Sequence, residues 1–217
     1  NSFRQLIMNE IFLLDNISIF SKKKKIENIN LKICRGDFFV IKGSNSTGKS
    51  LLLKLFYLKL LPSKGSLFLN GKKITEESKK KIIENRKKMG VILQNDYLIP
   101  FFTVYQNIEL ASQIQNLKTS FTQRMNEISE WLDLDDIKNE KIMNLSNSQK
   151  QKVVIARALI NNPNIIIADQ PETFLDEVSK RKIFYLLESL SKLGSTIIIT
   201  SSKELHIKSS HKILELN

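Results

Sequence analysis

The stretch that decides the fold is "FFVIKGSNSTGKSLLLKLF", residues 38–56 of the 217-residue chain. Its four leading apolar residues are typical of a short buried strand, and the leucine-rich run after Ser50 favours a helix that reaches about Leu61. Between the two lies "GSNSTGKS", Gly43 to Ser50, which matches the pattern G-x-x-x-x-G-K-[ST] at every fixed position. A loop of this pattern between a strand and a helix predicts a binding site for phosphate groups.

Each part of this loop has a physical role in binding a nucleotide. Its glycines let successive backbone N–H groups point inward, and the dipole of the following helix adds to the same anion site. We expect the Lys49 ammonium to reach the β- and γ-phosphates and the Ser50 hydroxyl to bind Mg²⁺. The candidate nucleotide-binding residues here are Gly43, Ser44, Asn45, Ser46, Thr47, Gly48, Lys49, Ser50 and, through its backbone N–H, Leu51.

The order of elements along the rest of the chain predicts an α/β fold. Strand-like runs occur at 26–34, 38–42, 89–94, 164–169, 195–200 and 211–216, and helical spacing occurs at 103–143 and 176–192. This alternation predicts a mainly parallel sheet covered on both faces. Asn70-Gly71 between two short runs predicts a hairpin, and therefore an additional antiparallel β piece. The helical spacing at 103–143, in the middle of the chain, predicts a helical lobe.

A second candidate site residue ends the run "NIIIAD", Asn164 to Asp169. Such an aspartate on its own is as often a helix cap or a turn residue. Beside a phosphate-binding loop, a carboxylate at the carboxyl end of a strand would instead hold Mg²⁺ through water. We therefore predict that Asp169 and Ser50 belong to one magnesium site.

Four further segments make nearly the whole chain resemble the ATP-binding subunits of ABC-type ATPases. "VILQND" contains a Q-loop glutamine at Gln94, "IIIADQP" resembles the Walker B strand, and "FLD" at 174–176 occupies the place of the D-loop. The most specific segment is "LSNSQKQKVVIARAL", Leu145 to Leu159, which resembles the family signature LSGGQ and its helix.

This resemblance implies one ATP-binding domain over 1–217, with a helical subdomain at about 97–160, that binds ATP and Mg²⁺. Gln94 would be a further magnesium ligand, and the ring of Phe20 would stack on adenine, the alternative for Phe20 being plain core packing. The signature would contact the γ-phosphate of ATP held by the other subunit of a head-to-tail homodimer. The signature residues implied are Ser146, Asn147, Ser148 and Gln149.

The sequence departs from the family pattern where water is activated. The glutamate that follows the Walker B aspartate is Gln170 here, and an amide cannot accept a proton. Loss of a general base lowers the rate about 10²–10⁴-fold, although some GTPases orient water with a glutamine. Glu172 is a weak alternative base because Pro171 directs it elsewhere. Ser202 stands in place of the switch histidine, while His206 reads as a surface residue.

The signature glycines are also replaced, by Asn147 and Ser148. The elements that bind phosphate and Mg²⁺ are intact, whereas the candidate catalytic positions, Gln170 and Ser202, are altered together with these two signature positions. The sequence predicts a subunit that dimerises on Mg-ATP and hydrolyses it slowly; the alternative is a non-hydrolysing scaffold.

Within the family, "MGVILQNDYLIPFFTVYQNIEL", residues 89–110, is most similar to the FtsE type of cell-division ATPase, with the LolD and MacB export types as competitors. The FtsE type implies an integral membrane partner of the FtsX type that contacts about 96–107. It also implies a cytoplasmic location, peripheral at the inner face of the cell membrane.

Composition limits other functions. The single cysteine excludes an internal disulfide, and no apolar run approaches the roughly 18 residues of a membrane helix. The net charge of +12 allows a surface for nucleic acid or anionic lipid, but the scatter of the lysines favours a solvated surface. Proteins of this family that act on ribosomes or DNA usually carry two cassettes or a coiled coil, so we expect no nucleic-acid partner.

Overall fold

The computed structural model describes residues 9–21, 25–94, 97–113, 121–203, 205 and 207–216. The strands in these ranges are β1 (Glu10–Phe20), β2 (Lys25–Cys34), β3 (Phe38–Lys42), β4 (Lys64–Leu69), β5 (Lys72–Lys73), β6 (Met89–Ile92), β7 (Ile165–Asp169), β8 (Thr196–Ser201) and β9 (Lys212–Glu215). The α-helices are α1 (Lys49–Phe56), α2 (Lys79–Lys87), α3 (Val104–Gln113), α4 (Phe121–Trp131), α5 (Asn147–Leu159) and α6 (Glu177–Lys192). Short 3₁₀ turns occur at Glu76–Ser78, Asp135–Ile137 and Ile142–Asn144.

A five-stranded sheet in the order β6-β7-β8-β3-β9 forms the centre of the protein, and all of its strand pairs are parallel. Every residue of β7 and β8 is buried. Continuous isoleucine runs suit such strands because a parallel sheet is covered on both faces. The predicted mainly parallel α/β fold is therefore confirmed.

A second sheet, in the order β2-β1-β4-β5, is antiparallel. Its last two strands form the predicted hairpin at Asn70-Gly71. Both turn residues have positive φ, 49° and 71°, which is the geometry that this dipeptide favours in a two-residue hairpin. The antiparallel β piece is confirmed.

Alternate side chains of the central sheet pack on opposite faces. Phe39, Ile41 and Ile167 belong to one hydrophobic cluster with α1 and the antiparallel sheet. Val40 and Ile166 belong to a second cluster with α5, α6 and the helices α3 and α4. The period of two in a strand explains this division, because successive side chains point to opposite faces of the sheet.

Helices α3, α4 and α5 lie between Val104 and Leu159, where the sequence predicts a helical lobe. The division of 1–217 into one ATP-binding domain with a helical subdomain at about 97–160 stays a prediction. Within the described ranges, no helix combines the length and the hydrophobicity that a membrane crossing requires.

The ends of α1 and β6 show the clearest differences from the sequence prediction. Helix α1 ends at Phe56 rather than near Leu61, because Leu58 adopts a φ of 58° and the N–H groups of Lys59 and Leu60 bond back to the carbonyl of Lys54. Strand β6 ends at Ile92, two residues before the predicted end.

Candidate functional site

The loop 43–48 joins β3 to α1 and turns on two residues with positive φ, Ser46 at 80° and Gly48 at 104°. Gly48 caps the helix, and its carbonyl accepts hydrogen bonds from the N–H groups of Leu51 and Leu52. The loop also bonds to itself, since Thr47 Oγ1 donates to the carbonyl of Ser44 at 3.1 Å. This geometry turns the backbone around one point at a helix N-terminus, as an anion site requires.

The two pattern glycines are sterically required. A Cβ on Gly43 would lie 2.5 Å from Thr47 Oγ1 and 2.6 Å from the carbonyl oxygen of Leu216. A Cβ on Gly48 would lie 2.9 Å from Ile26 Cδ1, at a backbone φ that favours glycine. The loop is therefore a tight cradle with no room for side chains at these positions.

Lys49 begins α1 and lies across the loop. Its Nζ donates to the carbonyl oxygens of Gly43 at 2.6 Å and Ser44 at 2.7 Å, and the residue is only 4% exposed. The ammonium is thus held where a phosphate bound in the cradle would meet it.

A cavity of about 310 Å³ opens at the loop. Its described lining includes Asn45, Ser46, Gly48, Lys49, Ser50, Leu51 and Gln170. The charged groups among the described lining residues, Lys49 and Lys54, are both cations. This charge distribution favours an anionic ligand.

The three predicted magnesium residues are brought together. Ser50, Gln94 and Asp169 line one cavity of about 250 Å³ that adjoins the loop at Ser50. Their donor set is a hydroxyl, an amide and a carboxylate, the oxygen chemistry that suits Mg²⁺ completed by water and phosphate oxygens. Among the described residues there is no group of three or more His, Cys, Asp or Glu placed to hold a metal. The residues thus fit Mg²⁺ bound together with a nucleotide rather than in an all-protein cage.

Asp169 is oriented by a residue that sequence reasoning missed. Thr200, directly paired with Asp169 in the sheet and fully buried, donates its Oγ1 hydrogen to Asp169 Oδ1 at 2.5 Å. The same hydroxyl oxygen accepts from the N–H of Gln170 at 3.1 Å. A hydroxyl at the end of the neighbouring parallel strand is the signal that could have identified Thr200.

Gln170, the predicted substitute for the catalytic glutamate, faces the phosphate cradle. It has a φ of 48°, and its N–H is shared between the carbonyl oxygen and the Oγ1 of Thr200. Its side-chain Oε1 lies 3.4 Å from Ser202 Oγ, so the structure brings the two predicted catalytic residues together. Ser202 and Ser201 also line a further cavity beside Gly43 and Ser44. The catalytic roles of both residues stay predictions.

Glu172 points away from the cradle. It is 8% exposed, its Oε1 accepts from Ser201 Oγ at 3.0 Å, and its Oε2 has no hydrogen-bond partner among the described residues. Burial raises the pKa of this carboxyl, opposed by the Ser201 hydrogen bond and by Lys180 and Lys203. Glu172 is absent from the described lining of every cavity at the loop, which agrees with its weak standing as a base.

The signature residues lie apart from the cradle, at the N-terminus of α5. Ser146 and Gln149 form a reciprocal cap, in which Ser146 Oγ accepts from Gln149 N at 3.2 Å and Gln149 Oε1 accepts from Ser146 N at 2.9 Å. Asn147 occupies the first helical position and is exposed, and Ser148 follows it. None of the four lines a described cavity at the loop, so their contact with the nucleotide of another subunit stays a prediction.

A buried hydrogen bond connects α5, the helix of the signature segment, to the turn that follows β7. Gln151, 3% exposed, donates through Nε2 to the carbonyl of Pro171 at 3.1 Å. Sequence reasoning missed this residue because a glutamine inside a helix carries no signal for a buried long-range bond.

Two other predicted positions are placed as follows. Phe20 is 41% exposed at the end of β1, with the Nζ atoms of Lys25 and Lys64 at 5.7 and 5.8 Å from its ring centre, so it is not a core side chain. Its neighbour Ser21 lines the cradle cavity, and adenine stacking on Phe20 stays a prediction. His206, and Asp96 of the predicted partner-facing segment, lie outside the described residues.

Comparison with known proteins identifies the family. The family described as ABC transporter matches residues 26–173. MJ1508, an uncharacterized ABC transporter ATP-binding protein of Methanocaldococcus jannaschii, is 36% identical, over 90% of this chain and 88% of that protein. The methionine import ATP-binding protein MetN of Francisella tularensis is 38% identical over 80% of this chain, which spans only half of MetN.

The cell division ATP-binding protein FtsE of Bacillus subtilis is 31% identical, over 84% of this chain and 81% of that protein. The solved dimeric ATP-binding cassette MJ0796, in a post-hydrolysis state with ADP and Pi, has a TM-score of 0.83 at 30% identity, covering 95% of this chain and 94% of that one. FtsE is thus not singled out among these relatives. The chain belongs to the ABC transporter family, as one of its ATP-binding cassettes.

Proposed function

We propose that this cassette binds Mg-ATP, dimerises head to tail on it, hydrolyses it slowly and couples the cycle to an integral membrane subunit. The proposal rests on a contrast, within one site, between the residues suited to bind Mg-ATP and the residue at the position of the catalytic base. Lys49, Ser50 and Asp169 line two adjoining cavities whose side chains suit phosphate and Mg²⁺, whereas the residue after Asp169, which lines the first cavity, is an amide, Gln170.

The binding half of the site is built from backbone and oriented side chains. The N–H groups of the cradle and the Lys49 ammonium would hold the β- and γ-phosphates, and Ser50, Gln94 and Asp169 would hold Mg²⁺. The bound ion would supply neutralisation of phosphate charge. Thr200 fixes the Asp169 carboxylate before any ligand arrives, so less ordering is needed on binding.

The hydrolytic half lacks a proton acceptor. Water near the γ-phosphate could donate a hydrogen bond to Gln170 Oε1, which would orient it, but the amide cannot take the proton. The Ser202 hydroxyl is positioned to hold that amide in one orientation. Turnover is therefore expected but slow.

The exposed N-terminus of α5 supports the dimer. Its reciprocal cap uses Ser146 and Gln149 for each other, while Asn147, at the first helical position, is exposed. An N-terminal helix end of this kind would bind the γ-phosphate of the other subunit's nucleotide.

A large groove supports a membrane partner. A cavity of about 610 Å³ between α2, β6, α3 and α5 includes Tyr97 and Leu110, both exposed, and four basic groups. Its basic side chains are Lys59, Arg86, Lys87 and Arg157. We assign it as the docking groove for a segment of the membrane subunit, which would place the protein at the inner face of the cell membrane. This groove adjoins the partner-facing segment 96–107.

We further propose that the partner is of the FtsX type and that the role is in cell division. The support is the FtsE-like segment 89–110 and the similarity to FtsE of Bacillus subtilis; methionine import and MacB-type export are the competing roles. Co-expression of the tagged cassette with the FtsX-type and the methionine-permease-type subunits of its own genome decides between them. Co-purification with the permease alone would refute the cell-division role.

The experiment for the general function measures Mg-ATP affinity, mass by light scattering and phosphate release on one preparation. Wild type is expected to bind, to dimerise with Mg-ATP but not with Mg-ADP, and to release phosphate slowly. Lys49→Ala should abolish all three, whereas Lys138→Ala, which removes an exposed lysine elsewhere, should change none. Fast turnover would refute the slow cycle. Binding and dimerisation without any turnover would establish the second candidate, a scaffold that clamps in an ATP-dependent way, which Gln170 favours.

A further inference from the structure

The segment 72–88, here called the basic segment, concentrates much of the protein's charge. It carries eight Lys or Arg residues against three Glu, so five of the twelve net positive charges lie within 17 residues. It contains β5, a 3₁₀ turn and the helix α2. The general scatter of lysines along the chain does not account for this concentration.

The basic segment lies on the surface and makes few contacts with the hydrophobic core. Helix α2 has no buried residue, and its main apolar attachment is Ile82, which packs partly buried against the hydrophobic cluster below. The next residue, Ile83, is 54% exposed. Ile83 thus adds one exposed apolar side chain to a surface that is otherwise cationic and polar.

Six lysines of the basic segment form no ion pair with another described residue. No ion pair between described residues involves Lys72, Lys73, Lys79, Lys80, Lys81 or Lys88. Elsewhere, Lys152 and Lys182 share the carboxylate of Asp133, so this protein does pair lysines where a carboxylate is near. The positive charge of the basic segment is not balanced in the same way.

One face of α2 turns toward the docking groove. Ile83, Arg86 and Lys87 line that groove, and Lys79 shares their face at the helical spacing of four. The same groove is also lined by Tyr97, which is 63% exposed. Cations beside exposed aromatic and aliphatic side chains match the headgroup region of a bilayer, where rings sit among charged groups.

We propose that the basic segment 72–88 binds anionic lipid headgroups beside the docking groove, and so holds the cassette on the membrane in addition to its protein partner. The orientation rests on the proposed function, because the groove faces the bilayer only if a membrane subunit docks there. The lipid contact itself needs only the charge and the exposed apolar residues of this surface.

Lipid is favoured over nucleic acid by the exposed apolar groups. Phosphate backbones are bound by cations and by hydrogen-bond donors, and single strands also by aromatic platforms in a groove. The basic segment itself contains no aromatic side chain on which a base could stack, whereas Ile83, beside Lys79 and Arg86, can enter the headgroup boundary.

The test is sedimentation of the full chain with vesicles of phosphatidylcholine alone and with vesicles that also contain phosphatidylglycerol. We expect binding to the anionic vesicles only, and its loss at about 0.5 M salt because charges are then screened. Each cation near such a surface contributes about fivefold to partitioning. The triple variant Lys79→Gln/Lys80→Gln/Lys81→Gln, which leaves the groove-lining residues intact, should therefore bind about a hundredfold more weakly.

The matched control replaces Lys138, Lys141 and Lys192 by Gln, which removes the same charge outside the basic segment. It should retain most of the vesicle binding, and Ile83→Asn should weaken it with no change in charge. Equal binding to both vesicle types, an equal loss in the triple variant and the control, or binding to a DNA or RNA oligonucleotide in place of vesicles would overturn the proposal. Mg-ATP affinity and dimerisation, measured on the same samples, report separately on the proposed function.

Discussion

Replacement of Gln170 by Glu tests whether this site lacks only a proton acceptor. The substitution keeps the size of the side chain and leaves the backbone bonds from the Gln170 N–H to Thr200 intact. The new carboxylate would face a cavity whose charged described lining groups are Lys49 and Lys54, so it remains ionised at neutral pH. We therefore expect Gln170→Glu to lower the folding stability only slightly.

The expected gain follows from general-base catalysis. A positioned base contributes about 10²–10⁴-fold, which corresponds to roughly 3–5 kcal/mol of barrier. We expect Gln170→Glu to raise phosphate release by that factor at saturating Mg-ATP, with nucleotide affinity unchanged within a few fold. Because the Ser202 hydroxyl lies within reach of the group at position 170, the carboxylate would keep a hydrogen bond that directs it.

The assay is phosphate release in single turnover, which separates chemistry from product release. Gln170→Ala serves as the control, because it removes both the acid and the amide that could orient water. The reasoning is refuted if Gln170→Glu binds Mg-ATP and dimerises but releases phosphate no faster than wild type. It is also refuted if wild type exceeds Gln170→Glu, since the amide would then be the better catalyst in this geometry.

Three further changes test the support around the site. Thr200→Val should lower the free energy of unfolding by about 1–3 kcal/mol, because it leaves a buried carboxylate oxygen of Asp169 without its hydrogen-bond donor. The same variant should weaken Mg-dependent nucleotide binding. Thr200→Ser should restore both properties, as measured by denaturation and by binding assays. Because burial raises the pKa of Glu172, the native state holds this proton more tightly than the unfolded chain, and stability falls as pH rises from about 4.5 through the raised pKa. Glu172→Gln should remove this pH dependence. In urea denaturation it should raise the free energy of unfolding by about 1 kcal/mol at alkaline pH and leave it unchanged at acid pH. An equal gain at both pH values would contradict the raised pKa of Glu172. Gln151→Leu should leave Mg-ATP affinity unchanged but lower the rate of phosphate release, because it frees the Pro171 carbonyl that positions the next turn. The factor by which release falls should vary less than twofold with pH. An unchanged rate would show that the bond is only structural.

The parts of the fold that the sequence predicts are those with a local cause. The cradle follows from Gly43 and Gly48, whose absent side chains the packing requires, and the hairpin follows from Asn70-Gly71. The buried strands follow from isoleucine runs that only a two-sided sheet can cover. The end of α1 was predicted wrongly because Leu58 has no residue-type signal for its left-handed backbone.

The parts that the sequence did not reveal depend on contacts between distant segments. Thr200 reaches Asp169 because β7 and β8 pair in register, and Gln151 reaches Pro171 because α5 packs under the loop. Along the chain Glu172 resembles a second candidate base, yet the turn after β7 directs it into the protein toward Ser201. Such relations require the register of the sheet and the packing of the helices, which residue type alone does not supply.

The arrangement of acids around Gln170 bears on what the cassette does with ATP. Glu172, two residues along the chain, is buried and bound to Ser201, and Asp169 is bound to Thr200 and is our proposed magnesium ligand. Neither can replace the missing base without breaking a bond that supports the site. If dimer opening follows hydrolysis, loss of the base lengthens the closed state by about the same 10²–10⁴-fold as it slows the chemistry. A cycle of that length suits a device that holds its membrane partner in one state for long intervals, rather than a pump that must turn over with each substrate. The membrane contact of the basic segment fits the same purpose, since it would keep the cassette in place while the nucleotide persists.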